Sequence, residues 1–555
     1  MARLPSWIAG AAAAAALAIG VRYGTNAAGG SDSACYLSEA RMLARFSTRF
    51  EEPLARRAPW PNAVWTFAPA GHMPAAASGE FVAMCPPGLP LAMAALQWLR
   101  LSPFLAVPIF GALAVFLAFL IGRRVGGPLV GAASAVLTLC SPIFLYQLVQ
   151  PMTDVPATAW WLLASALAVG SAEGRSRPFA AGLAASMAIL TRPNLAPLAI
   201  VVAVYLALAG TTGTGTTATG TGTGTTGTPG TGTTGTDTTG MGRMGRMGRM
   251  GRMGGTGRIA RPVWFAVGVA PGVLVLAALQ QRMYGSPFAT GYGPAETLFN
   301  TAHVAPNARR YAAWLLDTHT PFLALAFAAP FVARTRAAAW LCLALAAATV
   351  AVYLPYRLFD DWWYIRFLLP AIPLLIVLSA TALAGVGELA PRWRGAPWIA
   401  AVVISAWWLH TAASRHVFEL RDWEHHFVEA GTYVADRLPA RAAVLTVKHS
   451  GSVHFYAERP IVAWNLIDPA GLDRVVAFLG EQGYAPYLVI DIEEENAFRA
   501  RFGRASALGG LDWPPVARVG HAVRVYGLRD RARFLAGETI PTETVASAPG
   551  RRRRG

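Results

Sequence analysis

The sequence predicts a polytopic α-helical membrane protein of about eleven spans, followed by a small C-terminal α/β domain outside the bilayer. Three observations carry this reading. The 555-residue chain has only 14% charged residues, where a soluble protein carries about a quarter. Its mean hydropathy is +0.40, and several apolar runs approach the roughly 20 residues that a bilayer-crossing helix needs. From about residue 415 the apolar runs give way to alternating strand-like and helix-like patterns.

The first span is read in "RLPSWIAGAAAAAALAIGV". A cleaved signal peptide looks similar, but "TNAAGG" is a poor cleavage site, and the later segments alternate correctly only if this one crosses. Further spans are read at about 103–121, 127–149, 155–170, 178–190, 195–209, 263–280, 320–333, 337–354, 367–386 and 397–412. With the N-terminus in the cytoplasm, the inward loops hold Arg123–Arg124, Arg175/Arg177, Arg258/Arg261, Arg334/Arg336 and Arg392/Arg394. That is the positive-inside pattern. Asp32, Glu39, Asp154, Asp360, Asp361 and most other acids of the membrane region fall on the outer side. The formal net charge of +17, nearly all arginine with Lys448 the only lysine, is therefore read as topology and not as a nucleic-acid surface. Arginine used in place of lysine, beside abundant alanine, suggests a GC-rich bacterial genome, and with it the bacterial inner membrane.

Residues 1–414 form the predicted membrane domain. Within it, residues 210–258 are a Thr/Gly tract followed by four "MGR" triplets, read as a disordered cytoplasmic loop. In residues 415–545, "AAVLTV", "PIVAW", "PYLVIDI" and "VARVGHAVRVYGL" are strand-like, and "DPAGLDRVVAFLGEQG" has helical apolar spacing. Eleven spans place this domain outside the cell. Residues 546–555 are a basic tail. Cys140 and Cys342 lie in apolar runs and are read as packing residues; no cysteine pair has metal-ligand spacing. Cys35 and Cys85 share the first outer loop, where an oxidising compartment allows a disulfide.

The residues suited to chemistry sit at the outer ends of spans: Asp32 beyond span one, Asp154 in "QPMTDVP", and Asp360–Asp361 in "YRLFDDWWYIRF". Topology puts these carboxylates near one plane but does not show that they converge. Asp154 also fits a plain helix N-cap ahead of Pro156, and Asp360 and Asp361 fit arginine pairs or helix starts. Outer-side arginines are the complementary set for a phosphate: Arg192, Arg282, Arg357 and Arg366, since guanidinium makes bidentate phosphate contacts. Interfacial anchoring is the plain alternative for each, with Arg366 placed to snorkel. Tyr36, Tyr292, Trp362 and Trp363 are candidate substrate contacts. The two tryptophans equally suit an interfacial aromatic belt.

Several stretches, taken in order, resemble a known family. They are "GGSDSACYLSEARMLA" after span one, "CPPGLPLAMAAL" before span two, "GRRVGGPLVGAASAVLTLCSPIFLYQLVQPMTDVPATAWWLLASAL", and "ILTRPNLAPL". Together they resemble the GT-C glycosyltransferases, nearest to the family 39-like bacterial relatives of protein O-mannosyltransferases and aminoarabinose transferases. The resemblance covers residues 1–210 best and 260–414 less well. It implies inverting transfer of a sugar from a polyprenyl-phosphate donor to an envelope glycan, lipid or protein hydroxyl. Asp32 would be the catalytic loop-one acid and Asp154 the second acid. Many relatives carry an acidic pair where this chain has Ser31-Asp32-Ser33, so a divalent metal at Asp32/Asp154 is not favoured, and no cofactor is expected. Two other classes stay open. A non-catalytic scaffold or glycan-binding protein would explain the missing loop-one acid. A transporter or lipid flippase would show broken helices and mid-membrane ionisable groups, and the apolar runs carry almost none.

Overall fold

The computed structural model describes residues 3–75, 79–170, 176–208, 256–389, 392 and 395–546. Most of the Thr/Gly and Met-Gly-Arg segment, and nearly all of the basic tail, lie outside these residues. The chain is a multi-pass helical membrane protein. Among the described residues, five helices are long and apolar enough to cross a membrane, and eight if each of three bent pairs makes one span. The shorter helices Asp154–Val169, Ser176–Thr191 and Pro193–Leu208 occupy the remaining predicted segments.

Each apolar run becomes a helix because hydrocarbon offers its backbone amides no other partner. Five hydroxyls inside the bundle obey the same constraint. Ser134, Thr158, Ser165, Thr349 and Ser405 each donate to the carbonyl four residues earlier. Outward-facing Ile200, Val204, Leu274, Ile399 and Val402 remain exposed, as residues facing lipid do. Gly182 and Gly268 meet where Ser176–Thr191 crosses the helix Thr256–Tyr284. A Cβ at Gly182 would fall 2.1 Å from the Phe265 carbonyl oxygen, so only glycine permits this approach.

Predicted spans 127–149 and 367–386 are broken, by 62° and 82°, and 320–333 departs furthest. Segment 320–333 is a 3-10 turn, Pro321–Ala328, running into a short helix, and it folds back at 104° from Thr301–His319. Pro321 cannot continue the preceding helix, and Thr320 takes a left-handed φ of 59° at the break.

The first loop is more structured than its sequence pattern suggests. It holds helices Asp32–Ala44 and Gly88–Trp98. Between them lies a small antiparallel sheet of β1 (Phe50–Glu51), β2 (His72–Pro74) and β3 (Glu80–Ala83), with β3 central. Cys35 and Cys85 are disulfide-bonded, closing a separation of 50 residues. Cys342 is a buried free thiol and Cys140 a partly buried one. Because the bridge removes loop entropy from the unfolded chain, its reduction is expected to cost roughly 2–4 kcal/mol of stability. A thermal melt with and without a membrane-permeant reductant measures this, with Cys35→Ser as the genetic equivalent.

The C-terminal domain is a six-stranded mixed sheet ordered β5-β4-β6-β8-β7-β9. Its strands are β4 (Ala442–Leu445), β5 (Ile461–Val462), β6 (Ala485–Asp491), β7 (Ala517–Val519), β8 (Val523–Gly527) and β9 (Glu543–Val545). Strands β5, β4 and β6 run parallel, and β8 is antiparallel to β6. One face packs on Val434, Val453 and the helix Leu420–Arg437. The other joins Leu445, Leu488 and Trp513 to Leu54, Phe67 and Phe81 of the first loop in one apolar cluster. The first loop therefore contributes to the core beneath this sheet.

Candidate active site

Segments far apart in sequence meet around one cavity of about 940 Å³. The helix Asp32–Ala44 supplies Asp32 at its first position and Tyr36 one turn on. The ends of two bundle helices supply Thr153 and Arg192. The connection before Trp362–Leu368, and that turn itself, supply Arg357 and Arg366. The wall on the helix Thr256–Tyr284 is mostly apolar, with Leu276, Leu279 and Met283 beside Gln280 and Tyr284. The chain comes this close to Arg192 partly through Gly88, where a Cβ would lie 2.4 Å from the Thr191 hydroxyl.

Each acid meets a guanidinium. Arg366 Nη2 lies 3.2 Å from Asp32 Oδ2, with the Asp32 side chain 35% exposed. Arg192 Nη2 lies 2.8 Å from Asp154 Oδ1, and the Asp154 side chain is fully buried. Asp154 stands at the start of its helix, yet its carboxylate oxygens accept no amide hydrogen bond. The helix-cap alternative therefore does not hold: the carboxylate answers Arg192. Around that pair runs a polar chain. Tyr36 Oη and Thr153 Oγ1 are 3.2 Å apart. Arg192 donates to Thr153 Oγ1 and to the Tyr353 hydroxyl at 3.3 and 3.0 Å. Asn194 also donates to Tyr353, at 2.9 Å. Burial, then the nearby Asp32 carboxylate, push the Tyr36 phenol well above its usual range, so it remains a proton-bearing hydrogen-bond group.

Arg357 lines the same cavity and has no acidic partner among the described residues. The site thus sets three guanidiniums, Arg192, Arg357 and Arg366, against two carboxylates. The excess of one positive charge, beside apolar walls, suits a singly charged anion carrying a hydrophobic tail.

Of the remaining predicted residues, Tyr292 lines the cavity. Arg282, Trp362 and Trp363 are not among its lining residues. Arg282 is exposed, and its backbone carbonyl accepts from Arg49. Trp362 and Trp363 pack on Tyr146, and Arg415 lies 4.5 Å over the Trp362 ring. Arg366 does not snorkel; it is 14% exposed and turned onto Asp32. Asp360 pairs with Arg310 at 2.8 Å, and Asp361 occupies the position before the Trp362–Leu368 turn.

Thr153, Asn194 and Tyr353 are site residues that the sequence reading does not single out. Glu39 is a fourth residue of interest. Positions 32, 36 and 39 follow the i, i+4, i+7 spacing of one helix face, a signal that was present in the sequence. Glu39 is 3% exposed, and burial raises its carboxyl from 4.5 to about 8. A raised acid contributes stability that is full below its unfolded pKa and is lost as pH climbs through the folded one. The protein is therefore expected to lose stability between about pH 4.5 and 8. Melting midpoints of Glu39→Gln across that range should form a flatter profile than the parent's.

No family model matches the chain, and no curated protein matches it in sequence. Solved structures do match in fold. The cavity is walled by the ends of bundle helices and by the structured first loop, and the fold that holds it is shared with the following structures. One match is ArnT from Cupriavidus metallidurans bound to undecaprenyl phosphate, with TM-score 0.52 and 13% identity over 94% of this chain and 98% of that one. The apo form of that protein matches with TM-score 0.51 and 14% identity, over 92% of this chain and 96% of that one. A third is the Archaeoglobus fulgidus oligosaccharyltransferase in its apo form, with TM-score 0.53 and 12% identity over 94% of this chain and 74% of that one.

Proposed function

We propose that this chain is an inverting glycosyltransferase. In this reading it moves a sugar from a polyprenyl-phosphate donor to an acceptor hydroxyl on the outer face of a bacterial inner membrane. The observation that carries the reading is the cavity's composition: one part-exposed carboxylate, Asp32, among three guanidiniums and apolar walls. A polyprenyl tail dissolves in the bilayer and leaves its phosphate at the headgroup plane. A phosphate entering the cavity would draw Arg366 off Asp32. The freed carboxylate then accepts the acceptor's proton as its oxygen bonds to the anomeric carbon. The bond to the lipid phosphate breaks, and Arg366, Arg357 and Arg192 stabilise the charge left on the phosphate where water is scarce. Tyr36 and Tyr292 are assigned to the sugar. Asp154 is assigned to holding Arg192, and charge neutralisation is assigned to guanidinium with no metal at Asp32/Asp154. The undecaprenyl phosphate bound to ArnT, a protein of the same fold, supports the choice of donor class.

Mass analysis of polyprenyl-phosphate sugars and envelope glycans, in cells with and without the protein, tests the reading. Loss of the protein is expected to leave one lipid-linked sugar accumulated and one envelope modification missing. Unchanged profiles overturn it. Arg366→Ala is expected to weaken use of the donor more than of the acceptor, with a barrier cost of roughly 3–4 kcal/mol by analogy with oxyanion-hole donors. An unchanged apparent donor affinity would move the contact to Arg357 or Arg192. The orientation, with the N-terminus cytoplasmic and the C-terminal domain outside, is checked by a reporter fused after residue 420, active only on the outer side.

A further inference from the structure

Away from the cavity, the C-terminal domain brings together a second set of groups. His426 comes from the helix Leu420–Arg437, His449 from the turn after β4, and Asp491 from the end of β6. Nε2 of His426 and Nε2 of His449 each lie 3.8 Å from Asp491 Oδ2. One ligand atom from each of the three residues falls within 4.8 Å of the others. His449 is completely buried, and neither of its ring nitrogens has a hydrogen-bond partner. Nε2 of His426 also lacks one, while Oδ2 of Asp491 is met by the Lys448 ammonium. Buried polar atoms are ordinarily satisfied, so an unpartnered imidazole nitrogen from each of the two histidines, set beside the Asp491 carboxylate, calls for an occupant. The other oxygen, Asp491 Oδ1, accepts from the Glu493 amide, which fixes the carboxylate's orientation and leaves Oδ2 aimed at the histidines.

We infer that His426, His449 and Asp491 bind a divalent transition-metal ion of the zinc class. Two imidazoles and one carboxylate form a borderline-soft donor set suited to zinc. Around zinc, tetrahedral ligand atoms stand about 3.4 Å apart, so closure onto the ion needs the donors to move by only a few tenths of an ångström to about one. Burial holds both imidazoles below their usual range, which keeps them in the neutral, metal-ready form. Lys448 Nζ now sits 2.8 Å from Asp491 Oδ2 and 3.2 Å from Glu493, whose side chain is 82% exposed. The lysine can swing to Glu493 when an ion takes its place. His426 is 20% exposed, which provides a route of entry. The position is structural in consequence: Phe427, next in chain to His426, lies against Gly29 of the first loop. Ser450, next to His449, accepts the amide of Ala70. An ion here ties the sheet to the helix that docks on the first loop.

The test uses the full chain, purified in detergent without a polyhistidine tag. After exposure to zinc and gel filtration, one zinc per chain is expected by elemental analysis, with a melting midpoint above that of the chelated protein. His426→Gln, at a part-exposed position, is expected to weaken zinc affinity at least about tenfold and to abolish the zinc-dependent rise in midpoint. His449→Gln gives the same result if it folds. Cobalt(II) in place of zinc is expected to show visible bands that His426→Gln changes. No retained zinc, or zinc held equally by parent and His426→Gln, overturns the inference and leaves these groups as neutral packing around the Lys448–Asp491 pair.

Discussion

Asp32→Asn is expected to abolish sugar transfer while the protein still inserts and folds. The substitution keeps the size and the helix-start position of residue 32 and removes only its ability to take a proton. General-base catalysis contributes about 10²- to 10⁴-fold, so turnover should fall by at least about two orders of magnitude. Two effects act at once in this variant. The base is lost, and Arg366 loses its 3.2 Å partner. The freed guanidinium should hold the donor phosphate as well as before or better, so the apparent donor affinity should not weaken. Initial rates and donor titrations in membranes, beside a thermal melt, separate these effects. Transfer at the parental rate would remove Asp32 from the chemistry. A lowered midpoint matching the lost rate would make it a folding residue.

Arg192→Met should have the largest effect on stability. Asp154 is fully buried and Arg192 nearly so. Removing the guanidinium strands a carboxylate where it has no other hydrogen bond, a change that typically costs roughly 3–5 kcal/mol. The polar chain through Thr153, Tyr353 and Asn194 loses its centre with it. The double variant Asp154→Asn/Arg192→Met should recover much of the loss, because no uncompensated charge is then left behind. Melting midpoints of parent, both single variants and the double variant form the cycle that measures this coupling. Additive effects of the two substitutions would mean that the pair does not act as a unit.

The bundle was legible because hydrocarbon leaves a backbone few options: apolar runs became helices at nearly every predicted place. The segment that departs furthest, 320–333, has the composition of a span. Its course is decided by Thr320 and Pro321, which bend the chain through 104°. The first loop was illegible for a different reason. Its strands are two to four residues long, too short for alternation to register, and they are held by packing against residues some 400 positions away. Within the cavity, Asp32, Arg366, Arg357 and Arg192 stood out as charged residues at span ends. Thr153, Tyr353 and Asn194 did not, since a hydroxyl or amide at a helix end has many ordinary uses. Arg282, Trp362 and Trp363 shared the right depth but point to other neighbours, and depth is all that a span pattern supplies. The paired histidine and aspartate of the second cluster come from three separate elements, so no local spacing could announce them.

The apolar cluster that joins Leu54, Phe67 and Phe81 to Leu488, Phe498 and Trp513 has a consequence for biosynthesis. A growing chain emerges N-terminus first, so residues 50–81 leave the ribosome long before their partners exist. Until the last hundred residues are made, this segment carries bare aromatic surface. It needs a chaperone, the bilayer interface or its own disulfide to keep it from straying. Truncation from the C-terminal end should therefore be felt first at the opposite end of the polypeptide, as a protease-sensitive first loop.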